Sequence, residues 1–130
     1  MAVKAHQVAA LAPTLAPLCS DGGAVLPLQN GVAAPEFLGQ VLGANRVLGG
    51  LCRIIAWAEA PGVIVHGGAN PEITLGEFQG GGESPRLSRC AAALAVPGIS
   101  VRVAPDIRAA LWEKLAFIAA FGALGAASRA

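Results

Sequence analysis

Between residues 46 and 75 the chain reads as three β-prone pieces, 46–59, 62–65 and 72–75, cut by Pro61-Gly62 and by Gly67-Gly68-Ala69-Asn70-Pro71. Both cuts are turn signals, because proline fixes one backbone angle and glycine reaches conformations closed to other residues. The spacing predicts successive antiparallel strands. A chain with this centre must build a sheet, so its flanks decide the fold class.

The flanks are mixed. Residues 5–18 carry helical apolar spacing, weakened by Pro13 and Pro17 and ended by Ser20-Asp21-Gly22-Gly23. Residues 24–28 form a continuous apolar run, the pattern of a strand covered on both faces, although Pro27 lacks the donor a central strand needs. Pro35 and Glu36 then suit the first turn of a helix over 35–42, closed by Asn45. Beyond the centre, 80–83 reads as a flexible loop, Ser84-Pro85 as the cap and first position of a helix reaching about residue 95, and 99–103 as a strand. Pro105-Asp106 opens the strongest helical pattern, apolar to Phe121, with Gly122 and Gly125 loosening it. The expected class is α/β over 1–105, with a boundary near Pro105, and the segment 106–130 reads as the first helix of a different, helical layer.

Composition narrows the function. With 55% hydrophobic and 13% charged residues, the 130-residue chain is more apolar than an ordinary free-standing domain. Part of its surface should therefore meet a partner or further protein, which leaves a homodimer open. Nine basic and eight acidic residues are scattered singly, so no cationic stripe exists for a nucleic acid or an anionic membrane surface. Cys19, Cys52 and Cys90 are widely spaced and odd in number, which argues against a disulfide framework or a zinc site and fits a reducing cytoplasm. The apolar start superficially resembles a signal peptide, but Pro13 and Pro17 interrupt it. The uncharged run 115–127 is shorter than the roughly 20 residues a bilayer span needs, so no membrane anchor is expected.

Four residues at three places along the chain could carry chemistry. Ile107, Ala110, Leu111, Lys114, Leu115 and Ile118 share one helical face, which puts Lys114 inside an apolar stripe. Apolar surroundings lower a lysine pKa toward the range useful for proton transfer, yet the same spacing suits a lysine whose stem lies on the core while its head reaches water. Asn30 follows the apolar run, where α/β sheets bind ligands, but Asn30-Gly31 is equally a plain turn. Lys4 and Gln7 stand at the opening of the first helix, just past the place of a strand that would precede residue 1; a solvated helix-end lysine is the alternative.

Five stretches in order, Val3-Lys4-Ala5-His6-Gln7-Val8, Leu26-Pro27-Leu28-Gln29-Asn30-Gly31-Val32, Leu48-Gly49-Gly50-Leu51-Cys52, Pro61-Gly62-Val63-Ile64 with Ile73-Thr74-Leu75-Gly76-Glu77, and Leu111-Trp112-Glu113-Lys114-Leu115, resemble the ketopantoate reductase family. The resemblance implies that 1–105 is a partial Rossmann-type domain and 106–130 the first helix of an all-helical C-terminal domain, with NADPH held between the two domains and hydride delivered to the keto carbon of 2-dehydropantoate. It assigns Lys114 as the catalytic proton donor and a substrate contact. It makes Asn30 a cofactor and substrate contact, with Lys4 and Gln7 lining the nicotinamide side. Whole members carry a G-x-G-x-x-G turn for the pyrophosphate, which this sequence does not contain, and continue through more of the helical domain. The chain is therefore expected to be a fragment, inactive alone. Ile118 and Gly122 stand where the family places asparagines, and His6 where it places tryptophan, which opens the reading to another 2-keto acid. A non-catalytic remnant is the other alternative.

Overall fold

A computed structural model describes residues 1–129, apart from the side chain of Asp21. The N-terminal third packs short helices on each other. Helix α1 (Val8–Leu15) is preceded by a 3-10 turn, Ala5–Gln7, and followed by another, Pro17–Gly22. Pro13 sits inside α1 rather than ending it. Helix α2 (Ala33–Leu42) begins two residues before Pro35 and ends at Gly43, whose φ of 96° supplies the reversal expected of Asn45. Val8, Ala12, Cys19, Leu38 and Leu42 close one core cluster here with Val25 and Val47.

Residues 24–28 do not make the full strand expected of them. Val25 forms a single parallel bridge to Val47, while Leu28 N–H donates to the Met1 carbonyl. Pro27, fully buried, contributes no donor, so pairing on this segment cannot run on as a ladder.

The sheet has three strands in the order β1-β2-β3, with β1 (Leu48–Ala60) antiparallel to β2 (Val63–Glu77) and β2 parallel to β3 (Ser100–Val103). Three expected β pieces are thus two long strands. The turn-like Gly67-to-Pro71 segment does not turn, because Arg53 pairs with Glu72 and Ile55 with Gly67, leaving residues 68–71 to bulge against Ile54. Pro61-Gly62 does turn, with Gly62 at φ 80°. From Arg53 to the tip, β1 is exposed, so the hairpin projects as an arm.

Both faces of the buried half of the sheet are covered. Helix α3 (Pro85–Leu94) covers Leu48 and Leu75 with Leu87, its N-terminus capped by Ser84, whose hydroxyl accepts from Leu87 N–H. Helix α4 (Ile107–Ser128) covers Leu51, Phe78 and Ala104 with Ile107, Ala110 and Leu111. Gly122 and Gly125 do not interrupt α4. By length and composition alone α4, with hydropathy 1.4, could cross a membrane, contrary to the expectation from the uncharged run; its first turns, however, are spent on the sheet.

Candidate active site

Helix α4 is aimed by two local devices. Asp106 Oδ1 accepts from Ala109 N–H at 3.0 Å, fixing where the helix starts. Ile107 then drops into a notch floored by two facing glycines, Gly49 and Gly76, which are register partners on β1 and β2. A Cβ on Gly49 would lie 2.7 Å from Ile107 Cγ2, and one on Gly76 would lie 2.8 Å from the Ala104 carbonyl oxygen. Only glycine lets the helix approach this closely.

Two turns further on, Lys114 reaches back over the sheet. Its Nζ donates to Asn30 Oδ1 at 2.9 Å and to the Cys52 carbonyl at 2.6 Å. Burial lowers the Lys114 pKa from its ordinary value; the Arg53 guanidinium pushes the same way and Cys52 opposes. Asn30 arrives from the 24–29 segment, and Gly31, at φ 101°, turns the chain at once toward α2.

Asn30 stands between two clefts. One, of about 390 Å³, is mostly apolar and lined by Ala5, His6, Val8, Gly31 and Phe37 beside Asn30. The other, of about 400 Å³, holds Lys114, Cys52 and Arg53 with Asn30, walled by Phe117 and Ile118. The first suits a flat aromatic amide such as the nicotinamide end of a dinucleotide; the second places a cationic donor beside an open volume.

Among the residues expected from the sequence, Lys114 and Asn30 are brought together. Lys4 and Gln7 are not: both are exposed, and Gln7 Oε1 accepts from Lys4 N–H at 3.0 Å, which folds the amide back on its own turn. Ala5 and His6, between them, line the apolar cleft instead. Arg53 and Cys52 join the site without any local signal in the sequence. Their place beside Lys114 depends on strand β1 passing beneath α4, which no local spacing reveals.

A sheet packed between helices, with one helix returning a lysine to the strand side, defines a Rossmann-like α/β domain continued by a helix. The profile of the family described as Ketopantoate reductase PanE/ApbA matches residues 1–80. This chain belongs to the ketopantoate reductase family, a family of oxidoreductases. The 2-dehydropantoate 2-reductase of Halobacterium salinarum is 34% identical over 113 residues, covering 87% of this chain and 36% of that protein. Among solved structures, 2-dehydropantoate 2-reductase from Methylococcus capsulatus superposes with a TM-score of 0.80 at 28% identity over 98% of this chain and 40% of its own. The enzyme of the same name from Geobacter metallireducens gives 0.78 at 32% identity, over 89% and 38%. The chain thus spans well under half the length of these relatives.

Proposed function

We propose that this chain is the part of an NADPH-dependent 2-dehydropantoate 2-reductase that carries the proton donor, reducing ketopantoate to pantoate on the route to pantothenate. One observation carries the reading: the Lys114 ammonium, anchored on Asn30 Oδ1 and the Cys52 carbonyl where two clefts meet at Asn30. In this reading residues 1–105 belong to the cofactor-binding domain and 106–130 begin the helical one.

Bound NADPH supplies the hydride. Ala5, His6, Val8 and Phe37 form the apolar slot offered to its ring, and Asn30 a polar group in its lining. Lys4 and Gln7, which flank Ala5 and His6 in sequence, are assigned to the cofactor side by the family resemblance alone. Reduction of a keto carbon moves the carbonyl electron pair onto oxygen. Lys114 Nζ stabilises that growing charge and gives up one proton to it, ending as the neutral amine. A lysine with a lowered pKa gives that proton more readily than an exposed one, while its two acceptors hold it in place. The three free cysteines accord with a cytoplasmic setting.

Ile118 in the Lys114 cleft favours a second reading, a related reductase acting on another 2-keto acid. In a full-length member carrying this segment, Lys114→Ala should lower turnover by about 10²–10⁴-fold while NADPH affinity stays within about threefold. Unchanged turnover removes Lys114 from the chemistry. A panel of 2-keto acids assayed on the same protein separates the two substrate readings.

A further inference from the structure

A 2-keto acid brings two oxygen functions to the site, a ketone and a carboxylate, and Lys114 accounts for one. Its Nζ is already committed to Asn30 Oδ1 and the Cys52 carbonyl, and the ketone oxygen takes the donor that remains. The carboxylate, a full negative charge entering a half-covered cleft, needs a second cation. Among the described residues that line that cleft, Arg53 is the one charged side chain besides Lys114.

We propose that Arg53 is the carboxylate anchor of this cleft, binding the acid group of the 2-keto acid whose ketone oxygen faces Lys114. This rests on the reading of the cleft as a 2-keto acid site. Arg53 sits at the last regular register position of β1 before the bulge, directly opposite Glu72 on β2. Its Nη1 donates to Glu72 Oε1 at 2.6 Å, and Glu72 is steadied by Thr74 Oγ1 at 3.2 Å. That contact uses one of five guanidinium donors and leaves the rest of the planar fork for a second carboxylate. The Arg53 and Glu72 side chains are 46% and 36% exposed, so solvent screens the pair and leaves the guanidinium open to a second anion. Glu72 is a positioning residue. Arg53 and Lys114 line the same cleft, so both cations face one bound ligand. The hydrocarbon end of such a ligand then lies against Phe117 and Ile118.

The test compares 3-methyl-2-oxobutanoate with its methyl ester, which keeps the ketone and loses the charge, by ligand-observed NMR titration of this chain. The wild-type chain should bind the acid at least about tenfold more tightly than the ester. Arg53→Gln should abolish that preference, binding both alike, while Arg53→Lys, which keeps charge and stem, retains part of it and guards against a folding defect. Glu72→Gln should keep the preference. If Arg53→Gln still prefers the acid, or if Glu72→Gln loses the preference as fully as Arg53→Gln, Arg53 is not the anchor although the cleft still takes 2-keto acids. If the wild-type chain binds neither compound, the reading of the cleft itself fails along with the anchor.

Discussion

Burial draws the Lys114 ammonium toward its neutral form, whereas Asn30 Oδ1 and the Cys52 carbonyl, as acceptors, favour the form with more protons to give. The two influences act on one nitrogen and do not cancel: the net shift is downward. The Asn30 contact is the replaceable half of the support, since the Cys52 acceptor belongs to the backbone. Asn30→Ala should therefore lower the Lys114 pKa further, because an acceptor for the charged form is lost while the burial remains. An NMR titration of the isotopically labelled, dimethylated lysines reads this directly. A rise at Lys114 in Asn30→Ala would mean that Asn30 presents its amide nitrogen rather than its oxygen to Lys114.

At the level of elements, the placement of Lys114 is set two turns earlier, where Ile107 seats on Gly49 and Gly76. A methyl group at Gly76 would meet the Ala104 carbonyl at 2.8 Å and Ile107 Cβ at 2.9 Å, and one of those contacts is rigid backbone. Gly76→Ala should destabilise the chain by about 1–3 kcal/mol and swing α4 outward, weakening the Lys114 to Asn30 contact. Urea unfolding measures the first effect and the Lys114 pKa the second; an unshifted midpoint would show that the notch has slack. Helix starts such as Ser84-Pro85 and Asp106 were legible in the sequence because a cap is a local device, made within three residues. The glycine notch was not, since its meaning depends on Gly49 and Gly76 lying opposite each other across two strands. Nor was the fate of residues 67–71, whose turn chemistry was overridden by pairing with a distant strand. The Lys114 stripe was legible as a face. Its contact with Asn30, 84 residues away, was not; only the family resemblance linked the two.

Across the whole molecule, the apolar excess seen in the composition has a definite location. Phe117, Phe121 and Leu124, each 70% exposed, run along the outer half of α4, and Ile54, Ile55 and Ile64 along the hairpin arm. The folded body is fastened by a polar clamp at the end of β2. Glu77, at the end of β2, accepts from Arg86 Nε at 2.9 Å and is also bonded by Arg86 Nη2 and Ser84, while Arg86 continues to the Asn45 carbonyl. The clamp thus joins the sheet to α3 and to the turn after α2. The Arg86 hydrogen bonds hold the Glu77 carboxyl below the usual carboxylate range, against the opposing effect of burial. A depressed folded pKa stabilises the fold above the unfolded carboxylate value, and that stabilisation is lost as pH falls through the folded value. Lys114 acts at the other end with the opposite sense. Its folded pKa lies below the unfolded one, so it opposes folding below the folded value, and the penalty is relieved as pH climbs from the folded to the unfolded value. On leaving the acid range stability should therefore rise through Glu77 and, toward neutrality, through the Met1 ammonium, whose pKa burial lowers in the same sense as that of Lys114; in the alkaline range Lys114 adds a further rise, opposed by the Cys90 thiol, whose pKa burial raises. Urea midpoints across pH test this with two variants. Arg86→Ala should cost on the order of 2–3 kcal/mol at neutral pH and flatten the acid limb, because Glu77 then stays buried without its cation. Lys114→Met should leave the acid limb intact and remove the alkaline rise, leaving the decline that Cys90 contributes. An acid limb that persists in Arg86→Ala would assign it to other carboxylates and leave the clamp a structural tie without a titrating role.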